Sequence, residues 1–153
     1  MPWLIKSEPE SFSIQDLAKA PKKTTFWNGV RNYQARNFLR DAMKKGDLAL
    51  YYHSGGPAPA VVGIAMVVKE GYADHTQFEA NSDYYDAAAT KDDPRWFMVD
   101  VKLVRIFDEP MTLESLRKVP ALGKMVLLQR GSRLSVQPVT QAEFDAIVKL
   151  RPE

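Results

Sequence analysis

The chain has 153 residues, of which 45% are hydrophobic and 26% charged, with a formal net charge of +2. This length and composition suit a single packed domain over residues 1–153 and argue against disorder. The chain has no cysteine and only two histidines, which excludes disulfides, cysteine-bound zinc and thiol catalysis, so we expect no metal and no cofactor.

The sequence predicts short elements in the first part of the chain. Residues 2–6 form a strand, and their apolar stretch is too short for a signal peptide. Residues 13–16 have the pattern of a capping box, which opens a helix ending near Lys19. A stronger helix follows over 32–43, and a short buried strand over 47–53.

Longer strands are predicted in the second part, at 60–70 and 96–107. Gly63 marks a bulge or a point of close packing in the first of them. A last strand covers 134–139, and Pro138 assigns it to a sheet edge because proline has no backbone N–H to donate.

Two further helices are predicted, at 112–118 and after a second capping box at 140–143, whereas the pattern over 124–129 is ambiguous. Strands dominate the middle of the chain, and helices lie between and after them. This order predicts an α+β fold with a curled or barrel-like sheet. No apolar run reaches the ~20 residues of a membrane helix, and together with the lack of cysteine and of a signal peptide this fits the cytoplasm, or a nucleus if the host has one. We also expect a monomer that does not contact membranes.

A basic stripe is the first candidate for a binding surface. Arg36, Arg40 and Lys44 recur every four residues along the helix predicted over 32–43 and just beyond it. Such a row can follow the phosphates of a nucleic acid. The spacing alone favours the other interpretation, a solvated helix face, and the small net charge does not decide between them.

The segment 26–33 is the second candidate. It combines three aromatic rings, two amides, a guanidinium and a glycine at and before the start of the helix. Aromatic faces stack on bases, while amides and guanidinium groups bind base edges or phosphates. The alternative is a helix-capping loop whose Trp27 fills the core, and the residues do not choose between the two.

Residues 51–54 end the strand predicted over 47–53. Tyr52 and Ser54 share one face of that strand, and Tyr51 and His53 share the other. Because His53 and Ser54 are adjacent on a strand, they cannot form the hydrogen-bonded dyad of a catalytic serine.

A further polar segment covers 129–138 and places two arginines and two serines around a glycine. Its charges and hydroxyls predict contacts with phosphates. A polar hairpin turn explains the same pattern.

These separate pieces occur together in one known family. The chain resembles the EVE domain in strings that run in order along nearly its whole length, and departs from it clearly in the loop 55–59. The resemblance implies a PUA-like fold, a curled β-barrel with short helices around it. It also implies a module that binds nucleic acid by recognising a modified base, in DNA (modified cytosine) or in RNA. The strings are KSEP (6–9), WNGVRNYQARN (27–37), YYHS (51–54), VGIA (62–65), YYD (84–86), PRW (94–96) and SRLSVQPV (132–139).

The resemblance also implies which residues form the site. Trp27 and Tyr52 wall the base and Trp96 completes the enclosure, while the other base-binding residues supply polar or edge contacts. Those other residues are Lys6, Ser7, Glu8, Asn28, Val30, Asn32 and Ser54. The residues expected to meet phosphates or brace the loop are Arg31, Arg133 and Ser135, with Arg36 and Arg40 of the basic stripe.

Two other functions stay open from the residues. One is an enzyme that acts on a nucleotide or RNA with Glu8 or His53 as acid or base, against which the resemblance argues. The other is an interaction module for a protein or small molecule, which would expose an apolar patch.

Overall fold

A computed structural model describes residues 1–131 and 133–152, and in them one mixed sheet of six strands forms the framework. The strand order is β2-β5-β4-β3-β1-β6, in which β1 pairs parallel with β3 and every other pair is antiparallel. The strands are β1 (Trp3–Ser7), β2 (Thr24–Phe26), β3 (Leu48–His53), β4 (Ala60–Ala73), β5 (Phe97–Thr112) and β6 (Val136–Pro138).

The two long strands β4 and β5 change register several times along their pairing, and such bulges bend a sheet. One shift lies between Val61 and Gly63, as the sequence predicts. A Cβ at Gly63 would lie 2.3 Å from the carbonyl oxygen of Arg105, so only glycine lets the two strands approach this closely.

Short helices surround the sheet. Both predicted capping boxes are confirmed, at Ser13 and at Thr140. The helices are α1 (Ile14–Lys19), α2 (Tyr33–Asn37), α3 (Leu113–Arg117) and α4 (Gln141–Leu150). Single 3₁₀ turns lie at Pro21–Lys23, His75–Phe78, Pro120–Leu122 and Val126–Leu128.

The helix predicted over 32–43 is shorter and less regular than its periodicity indicates. Asn32 caps α2, which ends at Asn37. A π-helical turn then covers Phe38–Ala42, closed by the N–H of Met43 donating to the carbonyl of Phe38 at 2.9 Å. The apolar spacing of an α-helix and of a short π turn is alike over so few residues, so the sequence does not separate them.

Buried side chains form two clusters. Along β1 and β3 consecutive residues alternate between them, as the two faces of a strand require. Trp27 and Tyr51 belong to the first cluster, and Leu50 and Tyr52 to the second. Trp27 and Tyr52 therefore lie in different parts of the core.

The α+β class is confirmed, with one difference in how far the sheet closes. In the part of the chain that the structure describes, β2 and β6 each pair with a single strand, so the sheet is not closed into a barrel. No helix within the described ranges is long and apolar enough to cross a membrane. No cluster of three or more His, Asp or Glu side chains there is arranged to hold a metal ion.

Candidate functional site

A cavity of about 740 Å³ lies where the two ends of the sheet approach each other. One wall comes from β2 and the loop after it, and the other from β1 and the segment before β6. β2 and β6 are the outermost strands in the sheet order, and the cavity is bordered by β2 and by the segment that leads into β6. The predicted residues that line it are Lys6, Ser7, Glu8, Trp27, Asn28, Val30, Ser54, Arg133 and Ser135.

Trp27 fills the core and also borders the cavity. Its ring is only 7% exposed and packs edge to face on Tyr51, with centroids 5.3 Å apart, so it fills the core. The backbone N–H of Trp27 donates to the carbonyl of Val99 at 2.7 Å, which fixes the start of the loop to β5. Trp27 also lines the cavity, so this fixed indole forms part of its wall.

Tyr84 lines the cavity from the long loop between β4 and β5, and its ring lies against Gly29. A Cβ at position 29 would lie 2.7 to 3.0 Å from three carbons of that ring, and Gly29 has a φ of +80°. Both the contact and the left-handed backbone require glycine. The ring of Tyr84 is 43% exposed, so it is a second aromatic surface at this site.

Arg31 holds the two loops together. Its Nη1 donates to the buried carboxylate of Asp74 at 3.0 Å, while Nε and Nη2 donate to the carbonyl of Tyr84 at 3.2 and 2.8 Å. The guanidinium carbon also lies 5.3 Å from the ring centroids of Tyr84 and Trp96. Arg31 therefore braces the loop, one of its two predicted roles, and its donors face protein acceptors.

Asp74 is the anchor of this arrangement and is completely buried. Burial by itself raises the pKa of a carboxyl, but hydrogen bonds from Thr76, the N–H of Gly29 and Arg31 outweigh it, so the pKa of Asp74 lies below its ordinary value. The carboxylate is thus charged at neutral pH and fixes Gly29 and Arg31 to the 3₁₀ turn at His75–Phe78.

Lys6 and Arg133 supply positive charge to the cavity. Neither has an ion-pair partner among residues 1–131 and 133–152. Burial lowers the pKa of Lys6, because a half-buried ammonium loses hydration. Its Nζ lies 5.9 Å from the ring centroid of Tyr52, and its backbone N–H donates to the carbonyl of Ser135 at 2.9 Å. This side of the cavity is therefore suited to an anion.

The basic stripe on α2 and the turn after it is elsewhere. Arg36 donates to the carbonyl of Arg95 at 2.6 Å, and Arg40 makes two hydrogen bonds of 2.8 Å to Asp41. Lys44 lies 3.9 Å from a carboxylate oxygen of Glu70. None of the three lines the cavity. Arg40 and Lys44 are paired with carboxylates, and Arg36 donates to neutral oxygens, as on a solvated helix face.

Three other predicted residues are not brought to the cavity, for identifiable reasons. The side-chain oxygen of Asn32 accepts the N–H of Ala35 at 3.0 Å and caps α2. Tyr52 is 4% exposed in the second core cluster, on the opposite face of β3 from Tyr51. Trp96 is 6% exposed, stacks on Tyr33 and donates to Asp86 at 2.8 Å, so it supports the loop behind the cavity.

Several lining residues were not predicted. Phe26 and Gly29 belong to the segment 26–33, and Tyr84 to the string YYD, so the signal was present but not assigned to the wall. The others carry no pattern that distinguishes them from ordinary loop or strand positions. The unpredicted residues are Ser11, Phe12, Thr25, Phe26, Gly29 and Tyr84.

The two acid–base candidates occupy different places. Glu8 lines the cavity. His53 does not, and its Nε2 accepts the N–H of Ile14 at 3.1 Å at the start of α1. Burial lowers the pKa of His53 despite the nearby charge of Asp16, so the ring is neutral at pH 7 and its lone pair is occupied.

The fold and the site define a known class of protein. The EVE domain family matches residues 2–150, and the chain belongs to this family. Human thymocyte nuclear protein 1 is 48% identical over 165 residues, which cover 97% of this chain and 72% of the relative.

Solved structures agree with this assignment. A crystal structure of human THYN1 protein in complex with 5-methylcytosine-containing DNA superposes with a TM-score of 0.91 at 48% identity, covering 99% of this chain and 98% of that one. A Pseudomonas syringae protein superposes with a TM-score of 0.94 at 45% identity, over 99% and 100% of the two chains. An ASCH protein from Zymomonas mobilis, at 11% identity and a TM-score of 0.56 over 99% of both chains, shares the fold alone. The predicted PUA-like fold is confirmed.

Proposed function

We propose that this protein is a reader that binds nucleic acid by taking one modified base, above all 5-methylcytosine, into the cavity between the ends of its sheet. One observation carries the proposal: the cavity has an aromatic wall at Trp27 and Tyr84 and, opposite, two cations, Lys6 and Arg133, without ion-pair partners in the described residues. The DNA complex of human THYN1 protein supports the choice of base.

The energies are consistent with such a reader. Extracting a base from a duplex costs a few kcal/mol, and less when the strand is already unpaired. Stacking on an aromatic ring returns about 1–3 kcal/mol. A methyl group buried against the wall adds about 0.8 kcal/mol, roughly a fourfold gain in affinity, so stronger discrimination needs a hydrogen bond as well.

The polar lining supplies those hydrogen bonds. Asn28 lines the cavity, and its side chain makes no hydrogen bond within the part of the chain that the structure describes, so its amide is available to a base edge. Glu8, Ser7 and Ser54 offer further acceptors and donors. Lys6 and Arg133 meet the phosphates, while Arg31 and Asp74 hold the loops in place.

Binding is the whole of the proposed activity, and it includes no catalytic step. The residues that carry it make contacts and fix orientation, and the lone pair of His53 is already used by Ile14. The cytoplasmic location and the monomeric state expected from the sequence belong to the same proposal.

The test is a fluorescence anisotropy titration with labelled single-stranded and duplex oligonucleotides that carry cytosine or 5-methylcytosine at one position. We expect saturable binding that prefers the modified base. Arg133→Gln weakens binding to every sequence and lowers the salt slope by about one, whereas the matched control Arg40→Gln, whose charge is paired with Asp41, leaves both unchanged. Absence of saturable binding by any oligonucleotide refutes the proposal.

A further inference from the structure

Phe26 is an exposed aromatic residue at the mouth of the cavity. It ends the edge strand β2, directly before Trp27, and lines the cavity while its side chain remains 44% exposed. Its ring meets the edge of His75, with centroids 4.9 Å apart, and this is its one aromatic contact among the described residues. The exposed part of the ring is therefore free to bury apolar surface against a ligand.

The cavity is large enough for more than one base. Cavities of ~300–1,000 Å³ enclose most of a drug-sized molecule, and this one has about 740 Å³. The indole of Trp27 walls its inner part at 7% exposure, whereas Phe26 is at the rim. There is thus room for one base beside Trp27 and for part of a neighbouring nucleotide beside Phe26.

The distribution of charge orients the phosphates and bases of a bound nucleotide strand within the cavity. Lys6 and Arg133, which have no ion-pair partner among the described residues, belong to the β1 and β6 side, and the exposed phenyl ring of Phe26 belongs to the β2 side. A nucleotide strand has phosphates along one side and bases along the other, so it can satisfy both walls at once.

We propose that Phe26 stacks on the base adjacent to the one held beside Trp27, so that the ligand is a strand with at least two neighbouring nucleotides unpaired. The inference rests on the proposed function and specifies its substrate class. A flanking base stacked on Phe26 cannot remain stacked within an intact duplex, so single-stranded or locally opened nucleic acid is the preferred ligand.

The experiment uses calorimetric titrations with single-stranded trinucleotides that carry 5-methylcytosine in the centre. One probe has thymines on both sides, two have an abasic site on the 5′ or the 3′ side, and one has abasic sites on both. All four keep the phosphates and the central base. The proteins are the wild type, Phe26→Ala, Phe26→Trp and Val104→Ala, a control that truncates an apolar residue exposed by 51% on β5.

We expect Phe26→Ala to bind the intact trinucleotide about 5- to 150-fold more weakly than the wild type does. An abasic site on one side weakens the wild type by a similar factor and leaves the variant unchanged, because the same contact is lost in both. Phe26→Trp keeps the affinity, and Val104→Ala behaves as the wild type. Thermal unfolding of each variant confirms that it is folded.

Two results overturn the inference and are distinguishable from failure of the proposed function. If the wild type binds the doubly abasic probe as tightly as the intact one, no flanking base is stacked. If Phe26→Ala weakens all four probes equally, Phe26 acts on the central base or on the fold. If the wild type binds none of the probes, the proposed function itself fails.

Discussion

Arg31 and Asp74 form an ion pair of 3.0 Å between the two loops that flank the cavity, and the carboxylate is completely buried. Removing one member of a buried pair leaves the other without compensation in a medium of low polarity. The pair therefore links the stability of the protein to the position of Tyr84, whose carbonyl the same guanidinium binds.

Asp74→Asn is expected to lower the free energy of unfolding by roughly 3 kcal/mol at pH 7, measured by urea denaturation. Because the pKa of Asp74 is lowered in the folded state, its stabilisation is present above the unfolded value of about 3.9 and is lost as the pH falls through the folded pKa. The wild type therefore loses stability below about pH 4 more steeply than the variant. Asp83→Asn, in an exposed loop, is the control, and an equal effect of both substitutions would contradict the assignment.

Gly29→Ala is expected to displace Tyr84, because the new methyl group would lie 2.7 Å from its ring and the backbone has a φ of +80°. The control is Gly46→Ala. Gly46 has a φ of +95° but open space around it, so this substitution costs only the left-handed backbone strain of about 1 kcal/mol. The Gly29 variant should unfold at lower urea and bind the modified oligonucleotide more weakly than the control. Similar behaviour of the two would mean that the ring contact is unimportant.

If Lys6 contacts a phosphate as proposed, we expect the affinity to depend on pH. A phosphate prefers the charged ammonium, so its contribution is complete below the pKa of Lys6 and disappears as the pH rises through it. Since burial lowers this pKa, the affinity falls at a lower pH than it would with an ordinary lysine of about 10.4. Titration with an oligonucleotide of adenine and 5-methylcytosine avoids bases that lose protons in this range.

In Lys6→Arg the fall in affinity should vanish, because arginine stays charged throughout. Lys44→Arg, on the basic stripe, should keep the profile of the wild type. A wild-type affinity that is constant from neutral pH to about pH 10 would remove Lys6 from the phosphate contact.

Glu8 is the one carboxylate among the described lining residues, which suits it to accept a hydrogen bond from the amino group of cytosine. Thymine shares the methyl group but has an acceptor in place of that amine. We expect Glu8→Ala to reduce the preference for 5-methylcytosine over thymine by about tenfold, with Glu10→Ala as the control outside the lining. Oligonucleotides should be recovered intact from both proteins. Product formed by the wild type and not by Glu8→Ala would instead indicate acid–base catalysis.

Local patterns predicted the elements whose stability depends on near neighbours. The capping boxes at Ser13 and Thr140 and the edge position of Pro138 follow from contacts within a few residues, and each was correct. Strand β2 was not predicted. It has three residues, too few for a visible alternation, and exists because Thr24–Phe26 pairs with the distant β5.

The site was predicted in part, for a related reason. The alternation of β3 correctly separates Tyr51 from Tyr52, but which face borders the cavity depends on how the whole sheet curls. Asn32 could have been assigned as a cap, since asparagine is preferred before a helix. Trp96 does not line the cavity, because its ring stacks on Tyr33 and its indole N–H donates to Asp86. No local pattern in the sequence reveals these two contacts.

The opening between β2 and β6 has a consequence for how binding acts on the protein. β6 has only three residues and pairs with β1 alone, just as the three-residue β2 pairs with β5 alone, so these two edge strands have the shortest pairings in the described sheet. In the proposed complex a nucleotide contacts Phe26 at the end of β2 and Arg133 in the segment before β6, so it links two edge strands that do not pair with each other in the described sheet. Occupancy should therefore slow hydrogen exchange of the β6 amides and raise the melting temperature together, and any substitution that loosens β6 should speed ligand release.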